Sequence, residues 1–230
     1  ASTEKATLRL GLMCTIAPRQ LIELVRSYGA KNPGVELQIV DATAANLAAA
    51  LDAGNLDVAI FCLPDGFADG HHAMPLYRER FVIAVGAKNP LARQAAIRVR
   101  DLEGASYLDR IHCEYGEHAE RAFAMQGVSD RTVYSSDRDD WILAMAAAGL
   151  GYAFIPEQCA EHPGVVARPL VEPEIWREIN LVTVRGRPHS APLGALVSEA
   201  SRQFRRASAP SAAAPAPEDA CTLGQSGETS

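Results

Sequence analysis

The chain has 230 residues, of which 48% are hydrophobic, enough to bury the core of one large or two small domains. Its formal net charge of -6 excludes a long phosphate-binding surface, because such a surface needs clustered lysines and arginines. No apolar run approaches the length of about 18 residues that a membrane-spanning helix needs, and no signal peptide is visible. We therefore expect a cytoplasmic protein with no membrane partner.

The cysteines are widely spaced and odd in number, and no two of them form a Cys-x-x-Cys pair. They are Cys14, Cys62, Cys113, Cys159 and Cys221. Such spacing is not typical of a disulfide framework or of a metal site. We expect a reducing compartment, no metal and no cofactor.

The first predicted elements are a strand over 8–13 and a helix that begins at Pro18, since proline suits the first turn of a helix. The predicted buried face of this helix is Leu21, Ile22, Val25 and Tyr28. A helix that follows a strand in an α/β sheet presents free N–H groups to the crevice beyond the strand ends. We therefore predict a ligand seat at Thr15 and Ile16.

The same order of elements then repeats. A strand over 35–40 is followed by a helix that Thr43 is placed to cap, and by a buried strand over 56–61. A second unit of the same order runs over 106–155. This β-α-β-α-β order is typical of a parallel sheet with helices on its faces.

In the second unit, Asp137 is the predicted N-cap of a helix over 138–148. The predicted apolar face of that helix is Trp141, Ile142 and Met145. Strands over 165–170 and 179–184 follow, and a last helix with apolar positions between 193 and 204 is predicted to cover the first unit.

Two chain crossings between the units, near 86–90 and 184–188, are expected to form a hinge beside a cleft. The predicted division is lobe I over 1–86 plus 187–206, and lobe II over 87–186. The segment 207–230 is rich in Ala, Pro and Ser and is predicted to be disordered.

Several motifs together resemble the effector-binding domain of LysR-type transcriptional regulators over about 7–206. The most specific are Gly-x-Leu-Asp-Val-Ala-Ile at 54–60 and Gly-Leu-Gly-x4-Pro at 149–156. The segments 10–18, 32–37 and 75–91 add further matches.

The resemblance implies an α/β fold with two Rossmann-like lobes of the periplasmic-binding-protein type II architecture, joined by two crossover strands. It implies a small-molecule effector in the cleft, and homodimers or homotetramers. DNA would be bound through an N-terminal winged helix-turn-helix that is absent from this chain, and RNA polymerase is a candidate partner. An enzyme is not expected, since Gly-x-Ser-x-Gly, His-Glu-x-x-His and Gly-x4-Gly-Lys motifs are all missing.

The family's ligand-contacting positions can be carried over one by one. They fall on Cys14, Thr15, Ile16, Thr43, Ala44, Phe61, Cys62, Leu63, Ile111, His112, Cys113 and Gly151. Ala44 departs from the pattern, because the family commonly has Ser or Thr there. We expect a small anionic or polar molecule between Thr15 and the segment 111–113.

Two alternatives remain open at this point. The segment 107–113 resembles the reactive-cysteine segment of the family's peroxide sensors, which indicates a possible redox role for Cys113, although 114–127 contains no partner cysteine. A periplasmic solute-binding protein would share the architecture, but free cysteines count against it. We expect a switch that responds to ligand occupancy.

Overall fold

The computed structural model describes residues 6–129 and 131–207. Within them, the strands are β1 (Ala6–Met13), β2 (Val35–Ala42), β3 (Val58–Phe61), β4 (His71–Gly86), β5 (Ile97–Arg98), β6 (Ser106–Arg110), β7 (Arg131–Ser136), β8 (Tyr152–Pro156), β9 (Val165–Val171) and β10 (Trp176–Val184). The α-helices are α1 (Pro18–Lys31), α2 (Ala44–Asp52), α3 (Gly116–Met125), α4 (Asp139–Ala147) and α5 (Ala191–Ala207). The segment predicted to be disordered lies, after its first residue, outside the described residues.

The strands form one mixed sheet in the order β2-β1-β3-β10-β4-β8-β6-β7, with β9 pairing to β4 and β5. In the first unit, β1 is parallel to β2 and to β3. In the second unit, β6 is parallel to β7 and to β8. The predicted repeat of a β-α-β-α-β unit is confirmed.

The long strand β4 belongs to both halves of the sheet. Its residues His71–Arg80 pair with β10, and Phe81–Gly86 pair with β8 and β9. The changes of partner therefore lie near 80–81 and just before 176, not at the predicted crossings near 86–90 and 184–188. We propose lobe boundaries at these two points.

Each lobe has its own buried core. The core of lobe I joins β1, β2, β3, α1 and α2 to α5, whose Leu196 and Ala200 are fully buried. The core of lobe II lies on the two faces of β4, β6 and β8. The prediction that the last helix covers the first unit is confirmed, and Tyr28 also donates a hydrogen bond to the carbonyl of Pro192.

Of the three residues predicted to begin or cap a helix, two are confirmed. Pro18 is the first residue of α1, and Thr43 caps α2 by accepting from the Asn46 N–H at 3.3 Å. Asp137 is not the N-cap of α4. That position belongs to Arg138, whose N–H donates to the hydroxyl of Ser136.

Two predicted core residues are exposed. Ile22 is 62% exposed, because the buried face of α1 is Leu21, Leu24 and Tyr28. Trp141 is 46% exposed, because α4 buries Ile142, Leu143 and Ala146. Adjacent helical residues are about 100° apart, so a shift of the buried stripe by one position exposes a large side chain.

The two outermost strands carry apolar residues into solvent. On β2, Ile39 and Val40 are 45% and 49% exposed, and on β7 Val133 is 43% exposed. The exposed Ile22 of α1 lies beside Ile39 of β2. The exposed Trp141 belongs to α4, the helix that follows β7 in the chain. None of the described helices is both long and apolar enough to cross a bilayer.

Gly151, which directly precedes β8, packs against β6. A Cβ there would meet the carbonyl oxygen of Ser106 at 2.4 Å, whereas a Cβ on Gly29 in α1 would meet nothing. We expect Gly151→Ala to lower the free energy of unfolding by about 1–3 kcal/mol, since backbone must move. We expect Gly29→Ala to raise it by about 0.5–1 kcal/mol, because alanine favours a helix.

Urea denaturation of both variants measures this difference. Equal stability of the two variants would contradict the packing described for Gly151.

Candidate functional site

The ends of several strands meet between the two lobes. Thr15 lies in the turn that leads from β1 into α1, and Cys62 follows β3. Glu114 belongs to the turn between β6 and α3, and Arg177 is the second residue of β10. Direct hydrogen bonds join these four side chains, so we call them, together with Glu79 on β4, the cleft cluster.

Arg177 is the centre of the cleft cluster, and its side chain is 0% exposed. Its Nε and Nη2 donate to Oε1 of Glu79 at 3.0 and 2.8 Å. Its Nη2 also donates to the Thr15 carbonyl at 2.7 Å, and its Nη1 donates to Thr15 Oγ1 at 2.9 Å and to Glu114. The ring of Phe81 lies below the guanidinium, 5.5 Å from its carbon.

The sheet register explains why Arg177 and Glu79 meet. They are direct partners across the antiparallel pair of β10 and β4. Residues opposite each other in such a pair have side chains on the same face and close together. Their ion pair is therefore fixed by the pairing of β10 with β4, the strand that continues into lobe II.

Glu114 reaches the cleft cluster from lobe II. Its Oε2 accepts from the Thr15 hydroxyl at 2.8 Å, and its Oε1 accepts from Arg177 and from the Cys62 thiol, whose Sγ lies 3.5 Å away. The side chain is only 5% exposed. Its bond to Thr15 links the two lobes directly.

The buried charges do not balance within the cleft cluster. One guanidinium faces the carboxylates of Glu79 and Glu114, which gives a formal charge of one negative unit. Burial lowers the pKa of Arg177, but the charges of Glu114 and Glu79 outweigh burial and leave this pKa above its ordinary value. Arg177 is therefore charged at any physiological pH.

A second buried arginine lies beside the cleft cluster. Arg110, at the end of β6, donates to Asp139 Oδ1 at 2.6 Å and to the Cys14 carbonyl at 3.4 Å. It also donates to the carbonyl of Ile111. Since Cys14 belongs to lobe I and Asp139 begins α4 of lobe II, Arg110 is a second polar link across the cleft.

Two cavities reach this region. The first, of about 450 Å³, is lined by Cys14, Ile16 and apolar residues of α1 and β2, with Asp139 from lobe II. The second, of about 440 Å³, is lined by Leu63 and Tyr115 and by Arg177 itself. Both are within the usual size range for a small-molecule site.

The predicted site residues fall into two groups. Thr15 and Cys62 belong to the cleft cluster, Cys14, Ile16 and Leu63 line the cavities, and Ile111, His112 and Cys113 form the turn before Glu114, with His112 at φ 63°. Thr43 caps a helix, Ala44 and Phe61 lie in the core of lobe I, and Gly151 packs against β6. Phe61 is the last residue of β3 and is not in a loop that faces the cleft.

Sequence reasoning missed Arg177, Glu79 and Glu114. The available signal for Glu79 and Arg177 was a short run of charged residues beside each of two apolar segments, 78–80 before 81–85 and 177–178 before 179–182. Charges in strands are common at solvent-facing positions, so only the pairing of β4 with β10 reveals that these two are buried together.

The four described cysteines are all free. Burial, helped by the charge of Glu114, raises the pKa of Cys113 to about 12. Burial also raises the pKa values of Cys14, Cys62 and Cys159. A thiol with a raised pKa is neutral at pH 7 and a poor nucleophile.

Comparison with known families decides the assignment. A sequence model described as LysR substrate binding domain matches residues 1–205. This chain is a LysR substrate binding domain. The assignment favours a regulator over the solute-binding protein that the sequence had left open.

This LysR substrate binding domain is similar in sequence to the hydrogen peroxide-inducible genes activator of Escherichia coli O6:H1. It is 27% identical over 192 residues, which cover 81% of this chain and 62% of that protein. This chain therefore spans about three fifths of the length of its relative. The related proteins are regulators of transcription and not enzymes.

Two solved structures share the fold. The effector binding domain of QuiR in complex with shikimate has a TM-score of 0.75 at 18% identity, over 88% of this chain and 98% of that one. The BenM effector binding domain with benzoate has a TM-score of 0.75 at 18% identity, over 89% and 95%. The predicted periplasmic-binding-protein type II architecture is confirmed.

The raised pKa of Cys113 leads to a test of its reactivity. With a pKa of about 12 in the folded domain and an ordinary value when unfolded, its thiolate fraction at pH 7.5 should be lower by a factor on the order of 1,000. We expect iodoacetamide to alkylate Cys113 correspondingly slowly in the folded domain, and faster as pH rises.

Mass spectrometry of the alkylated peptides measures the rate at each cysteine, with the urea-unfolded chain as the control. Rapid alkylation of Cys113 at neutral pH in the folded domain would show that the cysteine is activated.

Proposed function

We propose that this LysR substrate binding domain senses a small molecule in the cleft between its lobes and regulates transcription as part of a longer protein. The observation that carries the proposal is the cleft cluster. Thr15 of lobe I and Glu114 of lobe II share a hydrogen bond, and both bond to Arg177. A molecule that changes the spacing of the lobes must strain or break these bonds.

The cavity lined by Cys14, Ile16 and Asp139 is our candidate for the effector position. It has an apolar wall from α1 and β2, and residues of both lobes line it. Binding between two lobes favours whichever lobe arrangement makes more contacts with the ligand, and this difference in affinity is what shifts the conformation. The complexes of QuiR with shikimate and of BenM with benzoate support a molecule of this size.

The partners of the whole regulator follow from the family. LysR-family regulators bind DNA and small effectors and commonly form oligomers. We propose that DNA is bound through a winged helix-turn-helix outside the present sequence, that the regulator acts in the cytoplasm, and that RNA polymerase is a further partner. The acidic charge of -6 supports a DNA contact made elsewhere.

Oxidant sensing through Cys113 is the second candidate. It is favoured by the similarity to a hydrogen peroxide-inducible genes activator and by the position of Cys113 in a turn after His112 at positive φ. It is disfavoured by the raised pKa of the thiol and by the lack of a second cysteine in 114–127. Ligand sensing is therefore the better proposal.

The ligand-sensing proposal is tested by thermal unfolding and native mass spectrometry of the chain with fractionated bacterial metabolites. We expect at least one small molecule to bind saturably and raise the midpoint of unfolding. Thr15→Val should weaken its binding about tenfold or more, because the hydroxyl bonds of Thr15 hold in place the turn that carries the lining residues Cys14 and Ile16.

The matched control is Thr132→Val, which changes an exposed threonine on β7. If no fraction contains a ligand, or if Thr15→Val and Thr132→Val bind it equally well, the proposed site is wrong.

We also propose that the domain forms dimers through its two sheet edges, as the family resemblance implies. The exposed Val40 on β2, which does not line the candidate effector cavity, contributes to an apolar surface at one edge of the sheet, and the exposed Val133 lies on β7 at the opposite edge. An exposed apolar surface of this kind is typical of a protein interface. In an antiparallel arrangement of two copies, the first surface of each copy would face the second surface of its partner.

We expect sedimentation velocity at tens of micromolar, roughly the range for moderate dimers, to show a dimer that Val40→Lys converts to monomer. A buried lysine without a partner is costly at an interface. Met125→Lys is the control, since Met125 is 89% exposed at the end of α3. A wild-type chain that sediments only as monomer would argue against this dimer.

A further inference from the structure

The seat that the sequence assigns to a small anionic or polar ligand already contains a carboxylate. Three donors converge on Glu114: the Arg177 guanidinium through Nη1, the Thr15 hydroxyl at 2.8 Å, and the Cys62 thiol at 3.5 Å. Two of these residues, Thr15 and Cys62, are predicted ligand contacts. The side chain of Glu114 takes the place that a ligand's acid group would take.

Arg177 does not need Glu114 for charge neutralisation. Glu79 is its partner in the sheet register, accepts from both Nε and Nη2, and is 1% exposed. The backbone N–H of Gln158 holds the other oxygen of Glu79 at 3.2 Å. A neutral and fixed ion pair would therefore remain without Glu114.

The donors aimed at Glu114 would remain as well. Thr15 Oγ1 accepts from Arg177 Nη1 at 2.9 Å, and this bond orients the hydroxyl hydrogen toward Glu114. Without the Glu114 carboxylate, an empty space would be surrounded by Arg177 Nη1, the Thr15 hydroxyl and the Cys62 thiol. The hydroxyl and the thiol would then have no acceptor. Buried donors without an acceptor are unfavourable, so this space would favour an incoming anion.

Glu114 itself lies outside the regular elements. It belongs to the turn between β6 and α3, in which the Cys113 N–H donates to the Arg110 carbonyl and the Gly116 N–H donates to the Cys113 carbonyl. These backbone bonds hold the turn without the Glu114 side chain. The side chain can therefore be shortened while its surroundings keep their arrangement.

We propose that Glu114 is a specificity-determining residue of the cleft: its side chain acts as a built-in carboxylate ligand that excludes free small carboxylates from the seat formed by Thr15, Cys62 and Arg177. The effect of this exclusion on signalling rests on the proposed function, in which the domain senses a small molecule in the cleft. The exclusion itself is a property of the seat and does not depend on which effector the regulator senses.

The proposal narrows the class of effector. A molecule that binds while Glu114 stays in place meets a cleft cluster with one surplus negative charge, so a carboxylate of its own would be repelled. A neutral or cationic molecule with an apolar part is compatible with this charge. Such a molecule is also compatible with the first cavity, because the polar lining of that cavity includes Asp41, Asp139 and Asp140.

Acetate provides a matched probe, because it has the same non-hydrogen atoms as the part of the side chain that Glu114→Ala removes. We expect the Glu114→Ala chain to bind acetate saturably, with a Kd of about 1–10 mM, and to be stabilised against thermal unfolding by it. Sodium chloride at the same ionic strength and acetamide, the neutral isostere, should have no such effect. The wild-type chain should not bind acetate.

Three variants locate the binding. Glu114→Gln keeps the seat filled and should not bind acetate, and Glu117→Ala removes an exposed glutamate three positions further on and should behave like the wild type. Thr15→Val combined with Glu114→Ala should weaken acetate binding by about tenfold relative to Glu114→Ala alone.

If Glu114→Ala does not fold alone, Glu114→Ser and refolding in the presence of acetate replace it, and acetate-dependent folding supports the proposal. Failure of acetate to bind or stabilise either shortened variant overturns it, as does equal binding by the wild type or by Glu114→Gln. Acetate binding by Glu114→Ala without any natural effector for the wild type would support the seat and refute the proposed function. If the wild type binds a natural effector but the shortened variants do not bind acetate, the proposed function is supported and the proposed role of Glu114 is refuted.

Discussion

The cleft depends on one buried guanidinium. Moving a charged group out of water is costly unless other groups pair with it and satisfy its hydrogen bonds, and Arg177 has partners on every nitrogen. Loss of one partner of a buried ion pair costs about 3–5 kcal/mol where the remaining charge is left alone. Because the partners of Arg177 come from β4, the first turn and lobe II, this one residue couples three parts of the fold.

The sheet supplies the geometry that this coupling needs. β4 runs from one lobe into the other and β10 begins where the chain returns to lobe I, and together they place Glu79 and Arg177 opposite each other at the point where β4 changes partners. The register of β10 on β4 shifts between Ile179 and Asn180, beyond this ion pair. A bulge of this kind bends a strand locally, and the ion pair lies in the regular stretch of β10 between the bulge and the crossover to lobe II.

The chemistry of the cleft differs from that of a thiol switch. The buried cysteines near Arg177 face carboxylates as well as the guanidinium, and burial raises their pKa values. The charge of Arg177 lowers the pKa values of Cys62, Cys113 and Cys159, but burial and the neighbouring carboxylates raise them by more. The cluster therefore favours neutral thiols and a closed hydrogen-bond network.

The sequence alone determined the local features of this domain. Hydrophobic periodicity, Pro18 and Thr43 located strands and helices because these signals act within a few residues of the chain. The strand-to-helix turn also placed Thr15 at the cleft, since the strand ends of an α/β sheet open to the same side, and the family resemblance placed Cys62 there. Only the tertiary structure decided which face of α1 and α4 is buried, where the chain crosses between lobes, and that Glu79, Glu114 and Arg177 meet. These three residues are separated by tens of positions in the sequence, and no local pattern encodes the strand register and the turn that bring them into contact.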